Sequence, residues 1–482
     1  MSKEELPTVP RNQEQYDTLV IGGGYAGLSA MQTLTEGKVN ALLCEARNDT
    51  GGRTILSRKE SPAIAERGAF FVYTNDMKDR LEKAGVEVTE FLHDAFYVVN
   101  DEKKIVPAGA DGGPAGLARI VAAEILTYTK NISYDDFFRT SKTFSRLSVK
   151  DKKAVYALFE ADLAGPLSDV GISSAIHDAQ TVGDNSNDFF GICTKGGLST
   201  LAKNMSSTIP AEAKRTGTNV RNIRIDRDEL AFGLGKKADG NSEELRAKSG
   251  ILTAPLTAID GMTFTDRDGT EKPLRKAMRP GVQYALNMIG SGSVVKIGLK
   301  IKKPLIEGKQ MVHIAVPPPD EGSIRCASVR ALPLPDYGSE EKAEGQMLLM
   351  YLGGTQATDF ITFCNELDVR EGENKLEKIK TTAIAYLQEH LGIDPKLITE
   401  DAIDISGWSP EKGDRTAYSY IKADGRSTAY NPRAVFKESV LPKGMPPLYL
   451  AGEAYSETGA TLTTGAFDSG ALAARNITKS SI

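Results

Sequence analysis

Histidine, cysteine and tryptophan are scarce in this chain of 482 residues: four histidines, four cysteines and a single tryptophan, Trp408. None of His93, His177, His313 and His390 falls in a recognisable catalytic spacing, so no nucleophile–histidine–acid triad is legible. Cys44, Cys193, Cys326 and Cys364 lie far apart without metal-ligand spacing and read as reduced thiols. No apolar run approaches the roughly 18 residues of a membrane-spanning helix. Residues 116–132 come nearest, and Arg119, Glu124 and Lys130 interrupt them at amphipathic spacing. The opening segment MSKEELPTVPRNQEQYD lacks the apolar centre of a secretory signal, and the closing TKSSI matches no common retention or lipidation address. A cytoplasmic location is therefore expected. Charge bias is also small. With 59 basic and 64 acidic residues the net charge is −5, and there is no basic run to form a nucleic-acid footprint.

What remains is an ordinary globular mixture, 40% hydrophobic and 26% charged, with 46 glycines and 22 prolines. At roughly 100–200 residues per domain, the length predicts two or three domains.

Thr18-Leu19-Val20-Ile21 is a continuous apolar run of strand length, as expected for a strand covered on both faces of a parallel sheet. Gly22-Gly23-Gly24-Tyr25-Ala26-Gly27 follows, then a helical stretch from Leu28 to Thr35 with Gly37 at its C-terminal cap. A second strand, Val39 to Cys44, ends at Glu45. This β-α-β unit carries Gly22-x-Gly24-x-x-Gly27, a dinucleotide fingerprint. The first glycine permits the tight turn, the second lets the backbone approach a pyrophosphate, and the third lets helix pack on strand. The pyrophosphate would meet free N–H groups at the helix start. Glu45, 18 residues beyond Gly27, is placed to accept hydrogen bonds from both ribose hydroxyls and would repel a 2′-phosphate. That leaves FAD and NAD. Gly51-Gly52-Arg53, just past Glu45-Ala46-Arg47, suits a cofactor extending beyond the first nucleotide, with Arg53 pairing to its pyrophosphate or flavin side.

Further along, residues 76–188 read as mostly helical, including Ala115–Lys130 and Val149–Leu163. Lys195-Gly196-Gly197-Leu198 opens a helix, strands are expected at Asn219–Asp226, Ala231–Leu234 and Ser293–Ile301, and Lys236–Lys248 reads as a polar hairpin. Pro317–Gly345 reads as a long surface loop, Leu367–Leu391 as a helix, and Tyr449–Ala451 as a last strand before a helix rich in glycine and alanine. Small residues recur there at Gly465, Ala466, Ser469, Gly470, Ala473 and Ala474, giving a slim face able to end beside a bulky ring, with its dipole favouring negative charge there.

The run DTLVIGGGYAGLSA…LLCEARNDTGGR resembles the start of the flavin-containing amine oxidases, a family that includes monoamine, polyamine and L-amino-acid oxidases. Glu66-Arg67-Gly68-Ala69-Phe70-Phe71, Gly196-Gly197-Leu198, Thr253-Ala254-Pro255-Leu256 and Leu448–Glu453 with Thr464…Gly470 resemble four further blocks in family order. The resemblance implies an α/β, two-domain flavoprotein: a Rossmann-like FAD-binding domain at 1–77, 190–275 and 440–482, and an interleaved α+β substrate domain at 78–189 and 276–439. It implies an FAD-dependent oxidation of a small amine to an imine, with molecular oxygen as acceptor and hydrogen peroxide as product. A desaturase or dehydrogenase of a biosynthetic pathway, acting on a C–N or C–C bond with another acceptor, is the alternative. A homodimer is compatible with either.

The expected cofactor residues are Gly22, Gly24, Ala26, Gly27, Glu45, Ala46, Arg47, Gly52, Arg53, Ala69, Phe70, Val220, Gly452, Glu453, Leu462 and Thr463. By resemblance, Lys296 holds a water against the flavin and serves the reaction with oxygen, while Trp408 and Tyr418 face the flavin. Tyr418 matches one of two rings that flank a substrate amine in the family; the second position matches Leu462, which is not aromatic. Some members bind flavin through a cysteine where this chain has Ala417, so noncovalent FAD is expected. No family-type arginine follows Gly68 to hold a substrate carboxylate, which ranks amino-acid oxidation lower.

Overall fold

The computed structural model describes residues 15–54, 66–90, 96–109, 113–177, 190–235, 243–309, 311–319, 322–334, 345–367, 374–410 and 416–480. His93 and parts of the expected hairpin and long loop lie outside them.

Strand β1 (Gln15–Ile21) sits between β2 (Ala41–Cys44) and β3 (Glu244–Leu252), parallel to both. Leu19 and Val20 are fully buried, which explains the unbroken apolar run: covered on both faces, the strand has no solvent side to alternate with. The sheet they found is nine-stranded and mixed. From β3 it continues through Glu229–Leu234, Val220–Asp226, Thr263–Thr265 and Glu271–Pro273, and from β2 to Lys214–Arg215, while Leu448–Leu450 pairs in parallel with the end of β3. Helix α1 (Tyr25–Glu36) crosses between β1 and β2 and buries Leu28, Met31 and Leu34. Gly37 does cap it, but at φ −75°; the left-handed turn falls on Lys38, at φ +57°.

The second large sheet has seven strands. β4 (Val294–Ile301) is paired antiparallel on both sides, to β6 (Gln346–Gly353) and β7 (Ile398–Trp408), and β5 (Ser328–Pro333) adds to β6. Val312–Ala315, Phe96–Val99 and Ile105–Pro107 complete it. Its two faces differ. Val295, Ile297, Leu299, Leu348, Met350, Val329 and Ala331 form one core with the helices Gly354–Glu366 and Lys375–Leu391. By register, the other face presents Trp408 and Ser406 from β7, Lys296 from β4, Tyr351 from β6, and Ser328 and Arg330 from β5.

Two sequence expectations are corrected here. Residues 76–188 include the short strands Glu87–Glu90, Phe96–Val99 and Ile105–Pro107, each too short to carry a period. The supposed surface loop at 317–345 contains β5, buried from Ser328 to Leu332. Its charged Arg330 and flanking prolines disguise an interior strand. Helix α2 (Val149–Leu163) lies where expected, its start set by Ser148, whose side chain accepts from the Asp151 N–H. Among the described residues no helix is long and apolar enough to cross a membrane.

Candidate active site

A cavity of about 950 Å³ runs from the ends of β1, β2 and β3 to the polar face of the seven-stranded sheet. At its first end Gly22 takes φ +111°, and a Cβ there would lie 2.5 Å from Thr253 Oγ1, so the turn after β1 excludes any side chain. Gly27 does not reach the cavity. It packs against the Gly22 carbonyl, which a Cβ would approach to 1.9 Å, and thereby brings α1 onto the turn. The start of α1 has no side-chain cap, leaving its first N–H groups free for an anion. Thr253 Oγ1, in the strand-to-Pro255 turn, donates to the Ile21 and Gly22 carbonyls.

Glu45 lies at the end of β2, 7% exposed. Its Oε2 accepts from the Gly23 N–H at 2.6 Å and its Oε1 from the Arg47 N–H at 2.9 Å, which fixes the carboxylate and leaves lone pairs towards the cavity. Arg47 Nη2 donates to the Gly52 carbonyl at 2.9 Å. Gly52, at φ +58°, approaches Gly24 so closely that a Cβ would lie 2.9 Å from the Gly24 Cα. Val220 and Ala46 complete this end. A pinched glycine cradle, free helical N–H groups and a fixed acid are the donor and acceptor set of an adenine dinucleotide, so the residues present fit FAD.

Midway, Arg53 Nη1 pairs with Glu453 Oε1 at 2.8 Å and also donates to the Ala417 carbonyl. Burial alone would raise the Glu453 carboxyl, but Arg53, Ser419 and Arg433 hold it below the usual range. Sequence reasoning gave Arg53 to the cofactor; the structure gives at least one of its nitrogens to the protein. Gly452, at φ +148°, is bound through Ser469 of α3 (Thr463–Ser480), whose first turn contributes Thr463 and Ala466 to the lining beside Leu462. Thr461, between them in the chain and the lining, takes φ +66°, a costly conformation for a β-branched residue. The slim face of α3 meets protein rather than a ring at Gly470, where a Cβ would lie 2.0 Å from the Ala26 carbonyl of α1.

The far end is aromatic. Trp408, Tyr418 and Tyr351 line it with Val294 and Ala417. Trp408 Nε1 donates to the Arg67 carbonyl at 2.6 Å, and the Tyr418 hydroxyl donates to the Asp162 carbonyl at 2.6 Å. Sequence reasoning missed Tyr351, which lies in an unbroken apolar strand with nothing local to mark it.

Lys296 is buried, 2% exposed, and does not itself line the cavity. Its Nζ donates to the carbonyls of Glu66, at 3.1 Å, and of Gly68, which does line it. The Phe70 ring lies 4.9 Å beneath the ammonium. Burial brings the Lys296 amine down to about 7; Glu66 pulls it up and Arg330 pushes it further down. Burial likewise pushes the Glu66 carboxyl up to about 8, against a hydrogen bond from the Leu198 N–H. Phe70 also stays behind the lining.

The flavin containing amine oxidoreductase family matches residues 25–478. Among curated proteins, the flavin-containing amine oxidase A of Bos taurus is 44% identical over 69 residues, 14% of this chain and 13% of that protein. A flavin-containing amine oxidase of Danio rerio is 37% identical over 93 residues, covering 19% and 16%. A pseudooxynicotine dehydrogenase of Pseudomonas sp is 28% identical over 112 residues, covering 22% of each. The matched stretches thus span less than a quarter of these relatives. Among solved structures, a putrescine oxidase bound to putrescine superimposes with a TM-score of 0.71 at 16% identity, over 96% of this chain and 99% of that one. Cyclohexylamine oxidase from Brevibacterium oxydans IH-35A gives 0.71 at 13%, with the same coverage. At such identities the likeness is one of fold.

Proposed function

Because the chain belongs to the flavin containing amine oxidoreductase family, we propose that it binds FAD noncovalently in the long cavity and oxidises an amine to an imine, with oxygen as acceptor and hydrogen peroxide as the second product. The observation that carries this reading is the continuity of one cavity from the Gly22–Glu45 cradle to the ring-lined end at Trp408, Tyr351 and Tyr418. Bound FAD would supply the acceptor for the hydride that leaves the carbon beside the amine nitrogen.

The protein's own part is binding and exclusion. Glu45 takes the ribose hydroxyls and the start of α1 takes the pyrophosphate. Trp408 and Tyr418, each fixed by a hydrogen bond to a backbone carbonyl, hold the amine and keep bulk water away. Lys296, close to neutral, holds a water from beneath Gly68 without adding a full charge. Noncovalent binding is supported by Ala417, which offers no nucleophile, and by Cys44, whose thiol burial pushes up to about 12 at the adenine end.

Anaerobic mixing of the yellow protein with putrescine, cyclohexylamine, phenethylamine and phenylalanine tests the proposal. Bleaching of the flavin band, with peroxide on admitting air, is the expected result. Bleaching by none of them overturns it. The likeness to a dehydrogenase favours a second reading, in which the reduced protein reoxidises slowly in air and rapidly with a dye.

A further inference from the structure

Residues 116–132, the stretch nearest in length to a membrane span, line no part of the cavity. They begin in the helix Gly113–Ile125, whose inward side buries Val121 and Ile125 with Val155 of α2. Its outward side would ordinarily be polar and is not: Arg119 stands there with exposed Ile120 and Ala123, and exposed Leu126 follows one residue past the end. Among the described residues five large apolar side chains are exposed. The three most exposed are Ile120 at 54%, Leu126 at 63% and Val149, the first residue of α2, at 76%. Single exposed apolar residues need no explanation, but three in one layer of helices do.

Glu124 holds that layer together. Its carboxylate accepts from the Ser141 hydroxyl at 2.7 Å and from the N–H groups of Lys142 and Thr143 at 2.9 Å each. The end of the first helix is thereby clamped to the short helix Lys142–Ser145, which reaches Val149 through only Arg146, Leu147 and Ser148. Cations collect on the same layer. Residues 113–153 carry eight basic and four acidic side chains, in a chain whose net charge is −5. All four acids are engaged: Glu124 by the clamp, Asp135 by the Tyr156 hydroxyl, Asp136 by Arg139 and Ser133, and Asp151 by Ser148. Lys130, Lys142 and Arg146 are exposed and, among the described residues, form no ion pair with a carboxylate.

Aliphatic side chains standing among unpaired cations match a surface that offers anions and hydrocarbon together. A nucleic acid offers its phosphates but no hydrocarbon layer. A second copy of this chain, docked through the same patch, would set cations against cations. An anionic lipid headgroup layer offers both.

We propose that this layer, through Ile120, Leu126 and Val149 with Lys130, Lys142 and Arg146, docks the protein on the surface of an anionic lipid bilayer without spanning it. The docking does not rest on the amine-oxidation reading. It does bear on it, because α2 runs from the docking surface to Asp162, whose carbonyl accepts from Tyr418 at the aromatic end of the cavity. The 15 residues of α2, about 22 Å of helix, separate lipid from site.

Flotation of the purified protein with lipid vesicles tests the proposal. Wild type should bind vesicles with about 30% phosphatidylglycerol at least tenfold more tightly than pure phosphatidylcholine, and about 0.5 M salt should release it. Each cation near such a surface contributes roughly fivefold, so K142E combined with R146E should lose at least tenfold. I120S combined with L126S should lose about fivefold or more at low salt. All four side chains are exposed, so both variants should keep the melting temperature of wild type. Equal binding to the two kinds of vesicle overturns the proposal, and so does binding to the charged vesicles that K142E/R146E leaves intact. Salt-sensitive binding indifferent to I120S/L126S also overturns it, in favour of a general polyanion site. A dimer that I120S/L126S dissociates, with no vesicle binding, overturns it in favour of a second copy. Flavin bleaching by an amine in a protein that ignores vesicles refutes the docking and leaves the oxidation standing; vesicle binding by a protein that no amine bleaches does the reverse.

Discussion

Replacing Lys296 with methionine is expected to change how stability depends on pH more than stability at any one pH. The amine titrates at about 7 in the folded protein against an ordinary 10.5, chiefly because it is buried. At about 1.4 kcal/mol per pH unit, that gap corresponds to roughly 5 kcal/mol. Below pH 7 the amine is charged in both the folded and the unfolded chain, and the full cost of burying the charge is present. Between pH 7 and 10.5 the unfolded chain holds the proton and the folded one does not, so stability rises with pH. The methionine variant lacks this rise and leaves the Glu66 and Gly68 carbonyls without their donor. The stability difference should therefore shift towards wild type by roughly 2–3 kcal/mol between pH 6 and pH 9. Glu66, raised to about 8, contributes the opposite slope between about 4.5 and 8; without the Lys296 charge its carboxyl rises further in the variant, which adds to the shift towards wild type. Urea unfolding of the two holoenzymes across that range measures it. A difference that stays constant with pH would mean that Lys296 keeps an ordinary pKa, and the account of a near-neutral amine beneath Gly68 would be wrong.

Glu45→Ala removes the acceptor of the Gly23 and Arg47 N–H groups as well as the ribose partner, so FAD affinity should fall about 10- to 100-fold, read as flavin retained through gel filtration. Gly52→Ala, at φ +58° and 2.9 Å from the Gly24 Cα, should yield a folded but largely colourless protein; normal flavin content would refute the pinched cradle. Glu453→Ala strands the Arg53 guanidinium and should cost roughly 3 kcal/mol, seen as a lower melting temperature. Acid precipitation of wild type should release all the flavin to the supernatant, whereas colour in the pellet would refute noncovalent binding.

The parts of this site that were legible in sequence are those built by neighbours in the chain. Gly22, Gly24, Glu45 and Gly52 are read within 31 residues because one β-α-β unit sets their spacing. The aromatic end is different. Tyr351 and Arg330 carry no local mark: one sits in an apolar run, and the other in a stretch whose prolines and charges read as surface. Only the β5–β6–β4–β7 register brings them to one face with Lys296 and Trp408. Arg53 was legible as a cofactor-side residue, but its partner Glu453 lies 400 residues away, and no spacing rule reaches that far.

That separation bears on how the molecule is made. The glycine cradle belongs to residues 22–52, and the Arg53–Glu453 pair and the start of α3 close the cavity from residues 452–466. A ribosome releases the first of these long before the second, so the emerging chain can shape a nucleotide turn but not yet retain a flavin. Chains stopped short of residue 452 should emerge colourless whatever the supply of cofactor, and the slow, long-range docking of α3 on α1 becomes the step at which the protein turns yellow.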